Sequence, residues 1–302
     1  MKIIKILSGL IVILLITGFA DASTLNVGQG QTYTTIQSAM DAASTGDVIS
    51  VGEGTYNENL VVRTNGILLI GKNKEKTIID GQKTGSVIRV EANNVVVSGF
   101  TLQNNGGSGK EDAGITLYSA NGNMVVNSIL VNNTIGIAIY SSSNSNVISG
   151  NYIRSNYRNG IFVYSSDDNK IYNNNIQNNQ IGFYGDAART SSIYSNNFID
   201  NKDQAYDNSG LNSWDDGKSG NYWSTFKGSG AFNILGGANS KDNYPLSNAV
   251  SIKDVAITTP TEKPEDQKDQ EETGKSSPGF TGLVSLLSII TAIAFKYGKK
   301  DQ

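Results

Sequence analysis

The chain of 302 residues contains no cysteine and no histidine. Without cysteine there can be no disulfide, and no thiolate to act as nucleophile or metal ligand. Without histidine the commonest metal ligand and the commonest general base are both missing. Charge is sparse as well. Charged residues make up 17% of the chain and the formal net charge is -3. No cluster of Lys and Arg is large enough to follow a phosphate backbone, so nucleic acid is set aside as a partner.

What the chain does have is a repeat running from Gly114 to about Asn201. Four glycines, Gly114, Gly136, Gly160 and Gly182, start successive copies at spacings of 22, 24 and 22 residues. Two apolar columns, Val125/Ile148/Ile171/Ile193 and Leu130/Ile153/Ile176/Phe198, follow at spacings of 23, 23 and 22. Asn133, Asn156, Asn179 and Asn201 form a polar column with the same spacing. A fixed period of this size marks a solenoid. Within each copy apolar residues alternate, as at Ile161 and Val163, and Gly and Asn clusters break every run. That pattern belongs to short strands joined by turns. The predicted fold is all-β: a right-handed parallel β-helix of about seven or eight coils, stacked roughly 4.8 Å apart. Its handedness follows the general preference of parallel crossovers. The asparagine column is expected at a turn, with left-handed backbone and amides bonded from coil to coil.

Taken in order, residues 1–22 read as a secretory signal. Lys2 and Lys5 precede an apolar core from Ile6 to Phe19, and Ala20-Asp21-Ala22 offers a cleavage site after Ala22. Residues 23–250 are the solenoid domain with its end caps. Thr34 and Gln37 have capping-box spacing, and Ile36, Ala39, Met40 and Ala43 share one face of a short helix that would cover the first coil. The Gly-rich insertion Asn104–Asp112 is expected to stand off the coil as a loop. Trp214, Tyr222, Trp223, Phe226 and Tyr244 are expected to cover the last coil, with sugar stacking as the alternative use of these rings. Residues 251–277 are rich in acids and lysines, and are expected to be a disordered linker. Residues 278–302 hold Pro278-Gly279-Phe280, an apolar run to Phe295, and Lys296, Lys299 and Lys300. As a helix, Gly279 to Phe295 would be about 26 Å long, marginal for a bilayer core of roughly 30 Å, with its lysines on the cytoplasmic side.

Two resemblances follow from particular segments. YTTIQSAMDAASTGDVISVGEGTYNENLVV, TIIDG at Thr77–Gly81 and NVVVSGFTLQN at Asn94–Asn104 resemble the opening of NosD-type, pectin-lyase-like β-helix proteins. NSWDDGKSGNYW at Asn212–Trp223 and DNYPL at Asp242–Leu246 are similar to a closing motif of archaeal members. The tail with Pro278, Gly279 and Phe280 resembles the archaeal PGF-type sorting signal. That resemblance implies removal of the tail by an archaeosortase and lipid linkage at the outer face of the cell; an ordinary membrane anchor is the alternative. The NosD resemblance implies copper-site maturation. Such chemistry wants His, Cys or clustered Met, and after the leader only Met40 and Met124 remain. Many relatives also carry an acid-rich, calcium-like loop between the two closing motifs. Here Lys227–Lys241 contains no acidic residue, so no cofactor is expected, calcium being the one left open.

Polysaccharide cleavage on such a fold needs paired carboxylates, or a base with acid-held calcium. The candidates are Asp167 and Asp168, with Asp186 and Arg189 one coil further on. SSDDNK, however, fills the turn slot that SSSNSN fills in the coil before. For carbohydrate binding, Tyr118, Tyr140 and Tyr164 lie four residues after their coil glycines, and Phe162 and Tyr184 lie two after theirs. The residues between point inward, so these five point out and form an aromatic strip. Tyr172 and Tyr194 make a second outward column. Asn132 heads the sequon Asn132-Asn133-Thr134. The resulting expectation is a surface-anchored, non-catalytic envelope protein that binds glycans through the strip. Its partners would be envelope glycans or surface-layer proteins. A polysaccharide lyase or hydrolase, and a structural spacer in the surface layer, are the alternatives.

Overall fold

The computed structural model describes residues 22–259, apart from 108 and 110. Residues 1–21, the Pro278-Gly279-Phe280 motif and the apolar run after it lie outside the described residues. No described helix is long and apolar enough to cross a membrane.

The repeat folds as its spacing predicts, into a parallel β-solenoid with three walls. One coil supplies Val147–Ser149 to sheet I, Tyr152–Arg154 to sheet II and Asn159–Tyr164 to sheet III. Sheets I and II are eight strands tall and sheet III is seven. The coil-to-coil register matches the sequence columns. Val125, Ile148, Ile171 and Ile193 pair in sheet I, Leu130, Ile153, Ile176 and Phe198 in sheet II. Ile115, Ile137, Ile161 and Phe183 pair in sheet III. All of these side chains are fully buried and form one continuous core.

The corners carry three buried asparagine ladders. Asn133, Asn156, Asn179 and Asn201 turn sheet II into sheet III. Asn151, Asn174, Asn196 and Asn221 turn sheet I into sheet II. Asn123, Asn146 and Asn169 turn sheet III into sheet I. Amides in the middle of a ladder stitch three coils together. Asn156 Nδ2 donates to Leu130 O in the coil before (3.2 Å) and to Asn179 Oδ1 in the coil after (3.0 Å). Asn156 Oδ1 accepts the backbone N–H of Asn133 at 3.1 Å. Buried amides are tolerable only when so paired. Among the described residues only Ser149 Oγ is a buried side-chain polar atom without a partner.

The left-handed backbone lies one residue before the ladder, contrary to the sequence expectation. Asn132, Ser155, Asn178 and Asp200 have φ between 51° and 57°, whereas the ladder asparagines do not. The turn residue needs only to tolerate a positive φ, and the following residue must place an amide inside. The coil glycines serve the same ladder. A methyl group on Gly160 would lie 2.7 Å from Gly182 O and 2.9 Å from Asn179 Nδ2. Glycine is therefore required here by close approach, not by an unusual dihedral.

The ends are closed differently. Helix α1 (Ile36–Ala42) buries Ile36, Ala39 and Met40 over the first coil. Its cap is Thr35, not Thr34: Thr35 Oγ1 accepts the N–H of Ser38. Gln37 is engaged elsewhere, exchanging hydrogen bonds with the backbone N–H and O of Val61. Glu58 completes the cap by accepting the N–H groups of Ile36 and Gln37 at 2.9 and 3.0 Å. At the other end, Trp223 stacks between Phe198 (4.4 Å) and Phe232 (4.2 Å), and Trp214 meets Phe183 edge-on at 5.2 Å. Two buried carboxylates hold the indoles: Asp207 accepts from Trp214 Nε1 at 3.1 Å and Asp242 from Trp223 Nε1 at 2.8 Å. Both Trp side chains are 1% exposed, so neither is offered to a sugar. Tyr244 is 48% exposed and takes no part in the cap core, where Phe232 stands instead.

Two further expectations change. The insertion after Gln103 does not stand off. Asn105 is buried, Gly106 N–H donates to Gly85 O at 3.0 Å, and Glu111 pairs with Arg89 at 3.3 Å. Past residue 250, where the linker was expected to begin, the chain stays bonded to the solenoid as far as Val255.

Candidate functional site

The outer face of sheet III collects the aromatic residues singled out above. Tyr118, Tyr140 and Tyr164 are in strand register, and Asp186 continues their column. Phe162, Tyr184 and Tyr206 form the neighbouring column. All are half-buried. Tyr118 and Tyr140 stack at 6.4 Å with an 8° angle, Tyr140 and Tyr164 at 5.0 Å with 25°, and Tyr184 and Tyr206 at 5.4 Å with 8°. Arg89 closes one end, its guanidinium 4.1 Å from the Tyr118 ring centroid. Arg89 is held in turn by Glu91 at 2.7 Å and Glu111 at 3.3 Å.

Near-parallel rings at these distances shade each other's faces. The stacked stretches therefore meet solvent chiefly with ring edges and phenol hydroxyls, not with the flat strip the sequence suggested. Phe162 interrupts the order, tilted by 42° to Tyr140 and by 38° to Tyr184. There a groove of about 500 Å³ opens. Tyr140, Phe162, Tyr164, Tyr184, Ile135 and Ile181 supply its apolar lining, and Arg158, Asn159, Gln180 and Asp186 its polar lining. Partial burial, and then the nearby Glu111 carboxylate, raise the Tyr140 phenol above its ordinary value. Burial and Asp186 do the same for Tyr184. Both hydroxyls stay protonated near neutral pH and can donate as well as accept.

The carboxylate candidates do not converge. Asp167 and Asp168 lie in the turn from sheet III to sheet I. Asp167 Oδ1 accepts the backbone N–H of Arg189 at 2.9 Å, and Asp168, with φ 58°, donates its own N–H to Arg189 O at 3.1 Å. They belong to an outer ladder in which Asn121 Oδ1 accepts from Asn144 N–H and Asn144 Oδ1 from Asp167 N–H. Only Asp186 of the four candidates lines the groove. Asn132 is exposed, as a glycan acceptor must be. Tyr172 and Tyr194 stack at 5.5 Å on sheet I, apart from this groove.

Tyr206 and Arg89 escaped the sequence reading. Both sit in the column of Phe162 and Tyr184, but their coils carry no starting glycine to mark the register: Gln204 and Val87 stand there instead. Counting by coil length rather than by glycine would have found them.

A family described as periplasmic copper-binding protein (NosD) matches residues 24–228. The copper in that description does not fit this chain. There is no His or Cys, Met40 is buried on the inner face of α1 and Met124 lies on sheet I. Among the described residues no group of three or more His, Cys, Asp or Glu could hold a metal ion. A cell surface glycoprotein of Methanothermus fervidus is 34% identical over 105 residues, covering 34% of this chain and 17% of that protein. A probable pectinesterase/pectinesterase inhibitor of Arabidopsis thaliana is 33% identical over 92 residues, covering 27% of this chain and 18% of that one. The chain thus spans less than a fifth of either relative. Among solved structures, a PL6 family alginate lyase superposes with a TM-score of 0.52 at 16% identity, over 66% of this chain and 32% of the lyase. That likeness is one of fold. With the matched segment spanning most of the solenoid, from its first strand into the C-terminal cap, the chain belongs to the NosD family of parallel β-helix proteins.

Proposed function

We propose that this protein is a non-catalytic β-solenoid of the cell surface, and that its sheet III groove binds envelope carbohydrate. The observation that carries the reading is the combination in one groove of a tilted aromatic floor, Phe162 and Tyr184, with Arg158, Gln180 and Asp186 at its rim. Sugars ask for this mixture: apolar C–H surface against rings, and hydroxyls against amides and charges. The rim holds a single carboxylate among its lining residues, whereas retaining or inverting glycoside hydrolysis commonly uses two. Surface placement is supported by the similarity to a cell surface glycoprotein, and the N-terminal sequence with its leader-like Lys2, Lys5 and apolar run agrees with it. The C-terminal segment would anchor the protein, by archaeosortase processing or by a retained span, and surface-layer proteins would be its neighbours.

The test is to incubate the purified protein with envelope and acidic polysaccharides, with and without calcium, and to follow polymer length and protein together by size exclusion. Co-elution with intact polymer is expected, weakened by Tyr184→Ala. Shortened polymer would replace this reading with that of a lyase or hydrolase. Neither effect across the panel would leave a structural spacer.

A further inference from the structure

The last described segment of the chain does not hang free from the C-terminal cap. It turns back and lies along the edge between sheets I and II. There three asparagines each hold one of its residues by both backbone groups. Asn197 Nδ2 donates to Val250 O at 2.9 Å while Val250 N–H donates to Asn197 Oδ1 at 2.8 Å. Asn173 pairs with Lys253 in the same way, at 2.6 and 3.3 Å. Asn127 pairs with Val255, at 2.8 and 2.7 Å. A carboxamide that donates and accepts on one residue imitates the edge of a neighbouring strand, and so reads peptide backbone regardless of side chain. Between the two turn asparagines the column holds Gly150, at φ 72°. A methyl group there would lie 3.2 Å from Lys253 O and 2.7 Å from Asn127 Oδ1, in the path of the segment. Lys74, largely buried, adds a salt bridge to Asp254 at 2.7 Å.

We infer that Asn127, Asn173 and Asn197 form a peptide-backbone clamp whose resident ligand is this chain's own segment 250–255, and that the clamp sets where the C-terminal region leaves the solenoid. The register from Asn197 through Asn175 and Tyr152 to Ile129 counts three coil steps. The exit is therefore moved about 14 Å back from the C-terminal cap toward the N-terminal end. It also lies on the edge opposite sheet III. The clamp does not rest on the reading of the groove given above.

The absence of native cysteine makes the test clean. In the full chain, Lys170→Cys and Thr258→Cys carry a pair of spin labels, and amide hydrogen exchange is followed in the unlabelled protein. A single narrow label distance is expected, with slow exchange at Val250, Lys253 and Val255. Asn127→Gly with Asn173→Gly keeps the left-handed turns, since both residues have positive φ, and removes two of the three amides. Exchange at Lys253 and Val255 should then rise at least tenfold and the label distance should spread. The buried N–H of Asn151, which donates to Asn174, serves as the control and should stay protected. A broad distance or fast exchange in the unsubstituted chain would overturn the clamp, as would a double variant indistinguishable from it. Distances between singly labelled copies on mixing would overturn it too, by showing that the segment is exchanged between molecules. None of these readouts depends on carbohydrate, so failure of the groove reading would leave the clamp standing.

Discussion

The corner asparagines and the sheet III tyrosines are both columns with one residue per coil, and both run along the solenoid axis. The asparagines are buried, and those within a ladder, such as Asn156, bond through their amides to the coils on either side. The tyrosines are half-exposed and touch mainly one another. A repeated residue is thus no guide to its task; burial and the saturation of its polar groups are. A column whose every donor and acceptor is satisfied internally holds the fold. A column that leaves edges and hydroxyls toward solvent is free to bind.

The sharpest way to break the contrast is to cut an inner ladder. Asn174→Ala would leave Asn151 N–H and its Nδ2 without the Asn174 Oδ1 they share, and Ile148 O without its donor from Asn174 Nδ2. Each buried unpaired group costs about 1–3 kcal/mol, so a loss of about 4 kcal/mol is expected in denaturant unfolding. A loss under 1 kcal/mol would mean that water enters the corner and that the ladder is not a structural element. Gly160→Ala attacks the same device sterically. Backbone and amide atoms stand where its methyl would go, and overpacking of this kind costs about 1–3 kcal/mol.

The two columns also differ in how legible they were. Of the three ladders, the spacing made Asn133, Asn156, Asn179 and Asn201 visible, because a buried amide that must bond to its own kind admits almost no substitute; the other two follow the same rule but went unread. The left-handed column beside that first ladder was not visible, because Asn132, Ser155, Asn178 and Asp200 all tolerate positive φ and leave no common letter. The core and the strand register could be read directly, since period-two alternation repeated at fixed spacing fixes both. The aromatic face was read as to five of its residues, without Tyr206 and Arg89, and not as to its surface. Sequence places rings one coil apart, and only coordinates show them turned to one another. The clamp on residues 250–255 left no trace at all. It recognises backbone, and its asparagines look like any turn residue.

On the exposed column, Tyr164→Ala removes the partner that Tyr140 stacks on at 5.0 Å and Phe162 at 6.3 Å. Such contacts contribute about 0.5–1.5 kcal/mol each beyond area, and solvent access on one side places the expected loss near 1 kcal/mol. Carbohydrate affinity should fall about tenfold. Equal losses of stability in Asn174→Ala and Tyr164→Ala would erase the distinction between the columns.

Titration sharpens the comparison at the C-terminal cap. Asp242 is buried beneath Trp223, and burial raises its carboxyl above the ordinary value despite donors from Asn221, Trp223 and Tyr244. The folded state therefore holds this proton more tightly than the unfolded chain does. Stability from this group is full below the unfolded pKa and is lost as pH rises through the folded one. Asp242→Asn should flatten that slope of unfolding midpoint against pH. Asp80 shows the opposite sign: burial pushes its carboxyl up, but hydrogen bonds from Gln82, Gln103 and Asn104 outweigh that and lower it. Its contribution is present above the unfolded pKa and lost as pH falls, so Asp80→Asn should steepen nothing above that range.

The smallest expected effect falls on the residue that sequence made the first catalytic candidate. Asp167 occupies the slot of Asn144 one coil earlier, and both use Oδ1 to accept a backbone N–H from the next coil. An amide can do the same with its own oxygen. Asp167→Asn should therefore change stability by no more than about 0.5 kcal/mol and leave carbohydrate binding at its original affinity. A catalytic carboxylate could not be exchanged so cheaply, because an amide neither takes nor gives the proton. If Asp167→Asn abolished a polysaccharide-cleaving activity while leaving the fold intact, the outer turn would be a reactive site. The groove on sheet III would then be where its substrate is held.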